Sequence, residues 1–240
     1  MSGLTAQSSE PSADKARQII DKVDRMLRGD SSQGTVRMTV VTRDWRRTTE
    51  MEIWSKGTDE VLIRIEQPKK DAGTATLRVG ENIWNYLPKI DRVIRIPTSM
   101  MMASWMGSHF TNDDLVKESR LVRDYDIQIT FEGLRDGVEV YEFLLTPKPE
   151  APVVWGKIIY LIRKSDLMPV WAKFYGEDGQ LKRIATFSDY KIMGGRLVPA
   201  RMRMTPQDKP DEYTELYYEN LNFDIPIPDK IFSLNALRDS

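Results

Sequence analysis

The chain's one histidine, His109, lies between Ser104, Ser108 and Asp113, so a hydroxyl, an imidazole and a carboxylate fall within one short run. Acyl transfer would need the hydroxyl hydrogen-bonded to the imidazole and the carboxylate behind it. Residues this close in sequence converge only through an unusual turn, and no Gly-x-Ser-x-Gly elbow presents a serine. His109 is therefore expected to be a partly exposed lid residue. There is no cysteine, which removes thiolate chemistry, disulfides and sulfur-ligated metal together. Asp113 and Asp114 stand in no calcium-loop pattern. No Gly-x-Gly-x-x-Gly or phosphate-binding loop is present, so no metal and no cofactor is expected. The many acidic residues allow carboxylate pairs for glycoside hydrolysis on paper, and nothing singles one out. The strand tryptophans and tyrosines, Trp54, Trp84, Tyr86, Trp155 and Trp171 among them, read as cross-strand packing.

What stands out instead is Thr98 to Val116, TSMMMASWMGSHFTNDDLV. Met100, Met101, Met102, Trp105, Met106 and Phe110 crowd among small residues. Methionine is flexible and polarizable, so such a cluster adapts to apolar partners of irregular shape. The plainer reading is that these side chains plug the core of a curved sheet. A movable plug satisfies both.

The 240 residues carry 35 Lys and Arg against 36 Asp and Glu. The signs are interspersed, so nucleic acid is not expected as a partner and no polybasic membrane segment stands out. No apolar run approaches the ~20 residues of a spanning helix. The opening MSGLTAQSSEPSAD lacks the charged and apolar regions of a signal peptide. Residues 1–12 are small and polar and expected to be disordered, with a single domain over 13–240.

A helix is expected from Ser12 or Asp14, where Ile19, Ile20, Val23, Met26 and Leu27 recur at helical spacing until Gly29. Period-two alternation then predicts strands at 34–43, 46–56, 59–67, 74–80, 82–87 and 91–96, and after the Met-rich stretch at 124–132, 137–147, 155–164, 169–176, 181–192, 196–205 and 212–222. Short turns such as Gly57-Thr58, Gly80-Glu81 and Asp136-Gly137 make neighbouring strands antiparallel. About a dozen strands with little helix between them imply a mainly β fold, a barrel or open half-barrel. Alternation puts Met51, Ile53, Val61, Ile63, Ile65, Leu77 and Val79 on an oily face, opposite Glu50, Glu52, Arg64, Glu66 and Arg78. Thr111 or Asn112 is expected to cap a short helix whose first turn holds Asp113 and Asp114. Ile231, Phe232 and Leu234 are expected to dock the tail.

Asn82 to Val116, NIWNYLPKIDRVIRIPTSMMMASWMGSHFTNDDLV, resembles the LolA-like family of outer-membrane lipoprotein-sorting proteins. The resemblance rests on Trp84, Tyr86-Leu87-Pro88, Arg95-Ile96-Pro97, Ser104 to Ser108 and Phe110 to Leu115. Met168-Pro169, Tyr190, Val198-Pro199 and Ile227-Pro228-Asp229 with Phe232-Ser233 extend it downstream. It implies an unclosed antiparallel β-barrel with an N-terminal helix and short lid helices over the concave face. It further implies a non-enzymatic periplasmic carrier that takes the acyl chains of lipoproteins, or another amphiphile, between an inner-membrane exporter and an outer-membrane acceptor. Met51, Ile53, Ile63, Ile65, Leu77, Met101, Trp105, Met106 and Phe110 are the expected lipid contacts. Two other classes remain open: an adaptor of a membrane exporter with its lid fixed in the core, and a lipid or glycan hydrolase.

Overall fold

Among the described residues, alternating stretches resolve into thirteen strands of one antiparallel sheet. The structure, a computed structural model, describes residues 10–117, 121–151 and 153–238. Helix α1 spans Glu10–Arg28. It is followed by β1 (Ser31–Val41), β2 (Arg46–Lys56), β3 (Glu60–Gln67), β4 (Ala75–Val79), β5 (Asn82–Leu87) and β6 (Arg92–Arg95). Short helices α2 (Asn112–Lys117) and α3 (Leu121–Asp124) precede β7 (Tyr125–Arg135), β8 (Val138–Pro147), β9 (Lys157–Arg163) and β10 (Pro169–Tyr175). The last strands are β11 (Leu181–Met193), β12 (Arg196–Pro206) and β13 (Tyr213–Phe223). The expected strands are all present, and the expected disorder of residues 1–12 is corrected at its end, because the helix already begins at Glu10. Residues 1–9 lie outside those described.

The strand order is β6-β5-β4-β3-β2-β1-β13-β12-β11-β10-β9-β8-β7. Two meanders are thus joined by one non-sequential pairing, β1 with β13, while β6 and β7 are each bonded on one side only. The barrel is unclosed. Its curvature can be read from the connection between β6 and β7, which crosses the sheet. Trp105 reaches Thr76 of β4, while Asp114 holds Arg183 of β11. On a flat sheet those strands are six spacings apart, about 29 Å. The segment between Trp105 and Asp114 doubles back, with Trp105 N–H donating to Phe110 O at 2.8 Å. Such a folded-back segment bridges the two strands because the sheet bends round it.

Most of the concave face is apolar. Val36 and Met38 of β1, Met51 of β2, Ile63 and Ile65 of β3, Phe143 and Leu145 of β8 and Met202 and Met204 of β12 share one cluster with Ala16, Ile20 and Val23 of α1. The three helix residues recur at helical spacing, so α1 presents one stripe inward. Gly29 ends the helix at φ 70°, in the left-handed region, its N–H donating to Arg25 O. Where β1 and β13 shift register between Thr35 and Val36, a Cβ on Gly34 would stand 2.3 Å from the Asn220 carbonyl oxygen. Gly34→Ala is accordingly expected to cost about 1–3 kcal/mol by overpacking. Urea unfolding checks this, and an unchanged midpoint would contradict the close approach.

The convex face is not uniformly wet. Cross-strand partners share a face, and Leu62 pairs Leu77 while Ile63 pairs Thr76. Leu77 therefore points away from Ile63. It belongs to a second cluster with Leu62, Ala75 and Tyr86, covered by Ile227, Phe232 and Leu237 of the tail. The expected face of Leu77 and Val79 is thus corrected, and with it that of Arg78, which is buried on the concave side and donates to Thr58 O and Gly80 O. Because the tail buries Leu62 and Leu77 on the outer side while Thr76 and Arg78 of β4 turn inward, polarity no longer marks which side is wet, and alternation loses its phase. Arg64 donates to Ala236 O at 2.6 Å, pinning the tail. Leu234, expected to dock, is instead exposed.

Candidate functional site

Between β6 and α2 the chain lies over the concave face as a lid. A 3-10 turn at Thr98–Met100 leads to a second at Trp105–Gly107. Met106 adopts φ 53° and Gly107 φ 71° there, so the reversal rests on two left-handed residues, a costly geometry for methionine. Trp105, only 3 % exposed, and Phe110 enter the concave cluster, with Met106 packed at its margin. The indole N–H of Trp105 donates to Thr76 Oγ1 at 3.2 Å. This satisfies the one polar atom of a side chain that otherwise buries hydrocarbon.

Met51, Ile63 and Ile65 share that cluster with Trp105 and Phe110, and Ile53 packs against it. Leu77 is not brought to them. Met101 is half-buried and contributes its backbone, accepting from Asp113 N–H at 2.8 Å, while Met100 and Met102 are 48 % and 50 % exposed. The Met-rich run therefore splits. Its second half fills the interior and its first half faces outward. Two surface clefts of about 470 and 460 Å³ lie away from the lid, one between α1 and α3 and one beside Ile225 to Pro228.

The lid is held by polar bonds, of which the sequence announced only the cap of α2. Thr111 Oγ1 accepts from Asp114 N–H, and the Asp114 carboxylate accepts from Thr111 N–H at 2.7 Å, a reciprocal capping box that opens α2 as expected. That same carboxylate takes two hydrogen bonds from the Arg183 guanidinium, one at 2.7 Å to Oδ2 and one from Nη2 to Oδ1. Arg183 lies against the rings of Trp155 and Phe174, with the guanidinium carbon 4.3 and 4.7 Å from their centroids. The pair is nearly buried, so its two-pronged geometry matters more than a surface pair would. Arg47 donates through Nη2 to Met106 O. Asn112 donates to Met100 O at 3.0 Å.

His109 is tied to the sheet rather than to a serine. Its backbone N–H donates to Thr214 Oγ1, and Nδ1 lies 2.9 Å from that same oxygen. A hydroxyl that accepts from the backbone can donate to Nδ1, which leaves the proton on Nε2, 3.4 Å from Glu212. Ser104 Oγ donates to Ser108 O and Ser108 Oγ to Trp105 O, so both hydroxyls serve the lid's own turn.

Glu212 accepts from Arg43 N–H and faces His109, which together hold its carboxyl below the ordinary carboxylate value. A depressed folded-state value stabilises the fold above the unfolded value and loses that contribution as pH falls through the lowered one. Acidification is therefore expected to loosen the β13 end of the lid. Amide exchange over residues 104–111 below pH 4.5 checks this, and Glu212→Gln should remove the dependence. Beneath α2, burial first and the Asp113, Asp124 and Asp114 carboxylates after it push the Tyr125 phenol up, so it remains protonated across neutral pH.

A family model described as that of an uncharacterized protein matches residues 57–239. No curated protein matches the chain significantly. Among solved structures, a DUF1329 family protein from Desulfovibrio piger is similar at 24 % identity and a TM-score of 0.86, over 94 % of this chain and 99 % of that one. A putative outer membrane lipoprotein-sorting protein domain from Vibrio parahaemolyticus follows at 25 % identity and 0.82, with the same coverage of 94 % and 99 %. A LolA superfamily protein from Nitrosomonas europaea matches at 24 % and 0.77, over 92 % of this chain and 98 % of that one.

Proposed function

The chain belongs to the family whose model, described as that of an uncharacterized protein, matches residues 57–239; from this and its likeness to a putative outer membrane lipoprotein-sorting protein domain, we propose that it is a periplasmic carrier which takes an acyl chain onto its concave face in exchange for its own lid. No catalytic step is invoked. The observation that carries the proposal is the seating of Trp105 and Phe110 among Met51, Ile63 and Ile65.

Magnitudes decide whether such an exchange is feasible. An acyl chain of about sixteen carbons left in water costs on the order of 12 kcal/mol, at about 0.8 kcal/mol per methylene. Two aromatic side chains bury roughly 300–500 Å², or about 8–12 kcal/mol at about 25 cal/mol/Å². The lid's own contacts and the cargo's are of the same size. An empty closed state and a loaded open one then differ by only a few kcal/mol, which lets a carrier both load and release. Met106, Ile53 and the other expected contacts, Leu77 and Met101 excepted, complete the surface.

Protein purified from a Gram-negative host should release a lipid on denaturation, read by mass spectrometry, and the emptied protein should take up a fluorescent fatty-acyl probe. Neither lipid nor probe would end the proposal. The fixed-lid adaptor has support from the burial of Trp105, and Trp105→Asp separates the two. A carrier variant stays folded and keeps or gains uptake, because its lid competes less, whereas a fixed-lid protein unfolds. On the carrier reading, an inner-membrane exporter supplies the cargo and an outer-membrane acceptor removes it.

A further inference from the structure

Cations scattered along the sequence are gathered by the fold at one end of the β1–β6 meander. In an antiparallel meander alternate turns share an end, so the β1–β2, β3–β4 and β5–β6 turns lie together. With one flanking strand residue on each side, these three turns carry Arg43, Arg46, Lys69, Lys70, Lys89 and Arg92, all exposed. Their carboxylates are Asp44, Asp71 and Asp91, and two of these are engaged, Asp44 near Arg43 and Asp91 with Arg238. The opposite end differs. The β2–β3 and β4–β5 turns carry Lys56 against Asp59, Glu60 and Glu81. The meander is therefore polarised along its strands, although the whole chain has a net charge of −1.

The basic end also presents apolar tips. Trp45 in the first turn is 43 % exposed and Ile90 in the third 59 %. Tryptophan is favoured where hydrocarbon meets headgroups, and cations around exposed apolar tips match an anionic bilayer surface. Beside this end, Arg47 on β2 holds the Met106 carbonyl, so the surface adjoins the lid's left-handed turn. The neighbouring β10–β11 and β12–β13 turns contain Glu177, Asp178, Asp208 and Asp211. Their negative charge turns that half away from such a surface and fixes the orientation.

We propose that the β1–β2, β3–β4 and β5–β6 turns form a docking surface for an anionic phospholipid bilayer, with Trp45 and Ile90 inserted among the headgroups. This deepens the carrier reading and rests on it for its purpose, since docking brings the lid's turn to the membrane. The contact itself is electrostatic and reversible.

The test is flotation of the full chain with vesicles of phosphatidylethanolamine and phosphatidylglycerol, against vesicles of phosphatidylcholine alone. Binding is expected to the anionic vesicles at low salt and to be lost near 0.5 M salt, where screening is short-ranged. Each Lys or Arg at a membrane surface contributes about fivefold, so Arg43→Gln, Lys69→Gln and Lys89→Gln combined should weaken binding by roughly 100-fold. Trp45→Ser should weaken it independently. Equal binding to both vesicle types, no binding to either, or a triple variant that still floats would overturn the proposal. The triple variant alters solvated side chains and should keep the wild-type melting temperature and uptake of the acyl probe. Docking by a protein that takes up no probe would instead remove the carrier reading and leave the surface standing.

Discussion

Asp114→Asn is expected to destabilise the protein by about 3–5 kcal/mol, because it leaves the Arg183 charge nearly buried without its counter-charge. Arg183 has few alternatives. Its guanidinium is enclosed by Trp155 and Phe174, and its remaining acceptor is the His109 carbonyl at 3.3 Å. The variant also weakens the capping box at Thr111. Breaking this contact at the mouth of the concave face should release the lid before it unfolds the sheet. Urea unfolding should show the loss, and on the carrier reading acyl-probe affinity should rise in parallel, since the closed lid would compete with cargo. Replacing both partners, Arg183→Met with Asp114→Leu, should restore much of the stability, because the desolvation cost disappears along with the attraction. A single variant as stable as the parent would show that the pair does not hold the lid.

Trp105→Ala should cost about 3–5 kcal/mol, the usual range for emptying a buried aromatic site. The loss is bounded in a particular way if the lid opens as a unit. Once the weakened lid prefers to be open, further damage to it no longer lowers the stability of the sheet. Adding Phe110→Ala should therefore cost less than it does alone. A double-mutant cycle on urea midpoints measures this. Strictly additive losses would mean that the lid and the sheet unfold together, as the fixed-lid adaptor requires. Thr76→Val, which removes the acceptor for the indole N–H together with the hydroxyl's own bond to Asn85 Oδ1, is a milder control at about 1–2 kcal/mol.

The two effects differ in how far the sequence disclosed them. Trp105 and Phe110 were legible because a dense apolar run interrupts a series of alternating strands, and such a run must be buried somewhere. Asp114 was legible only as a helix cap. Its second role depends on Arg183, which sits in a strand where an alternating charge reads as solvent-facing, and nothing local says that Trp155 and Phe174 will enclose it. His109 was correctly set apart from the serines, but its partners Thr214 and Glu212 lie more than a hundred residues away. The error at Leu77 has a different origin. Period two tells which residues share a side, not which side is inward, and here the tail buries Leu62 and Leu77 outward while Arg78, next to Leu77, is buried inward. Likewise the mixed charges of the linear chain concealed the basic turns, because hairpins bring together what about twenty residues of sequence keep apart.

The missing bond between β6 and β7 carries a mechanical consequence. A closed barrel has its circumference fixed by a continuous ring of ladders, and enlarging it means breaking one. In this sheet the two margins never join, so the girth can grow by spreading the seam while every backbone pairing stays intact. What resists the spreading is side-chain contact from α1 and the crossing segment, weaker per unit length and quicker to reform. The capacity of the interior is thus set by a spring of side chains, and a carrier of the kind proposed would admit tails of different lengths or numbers on the same frame.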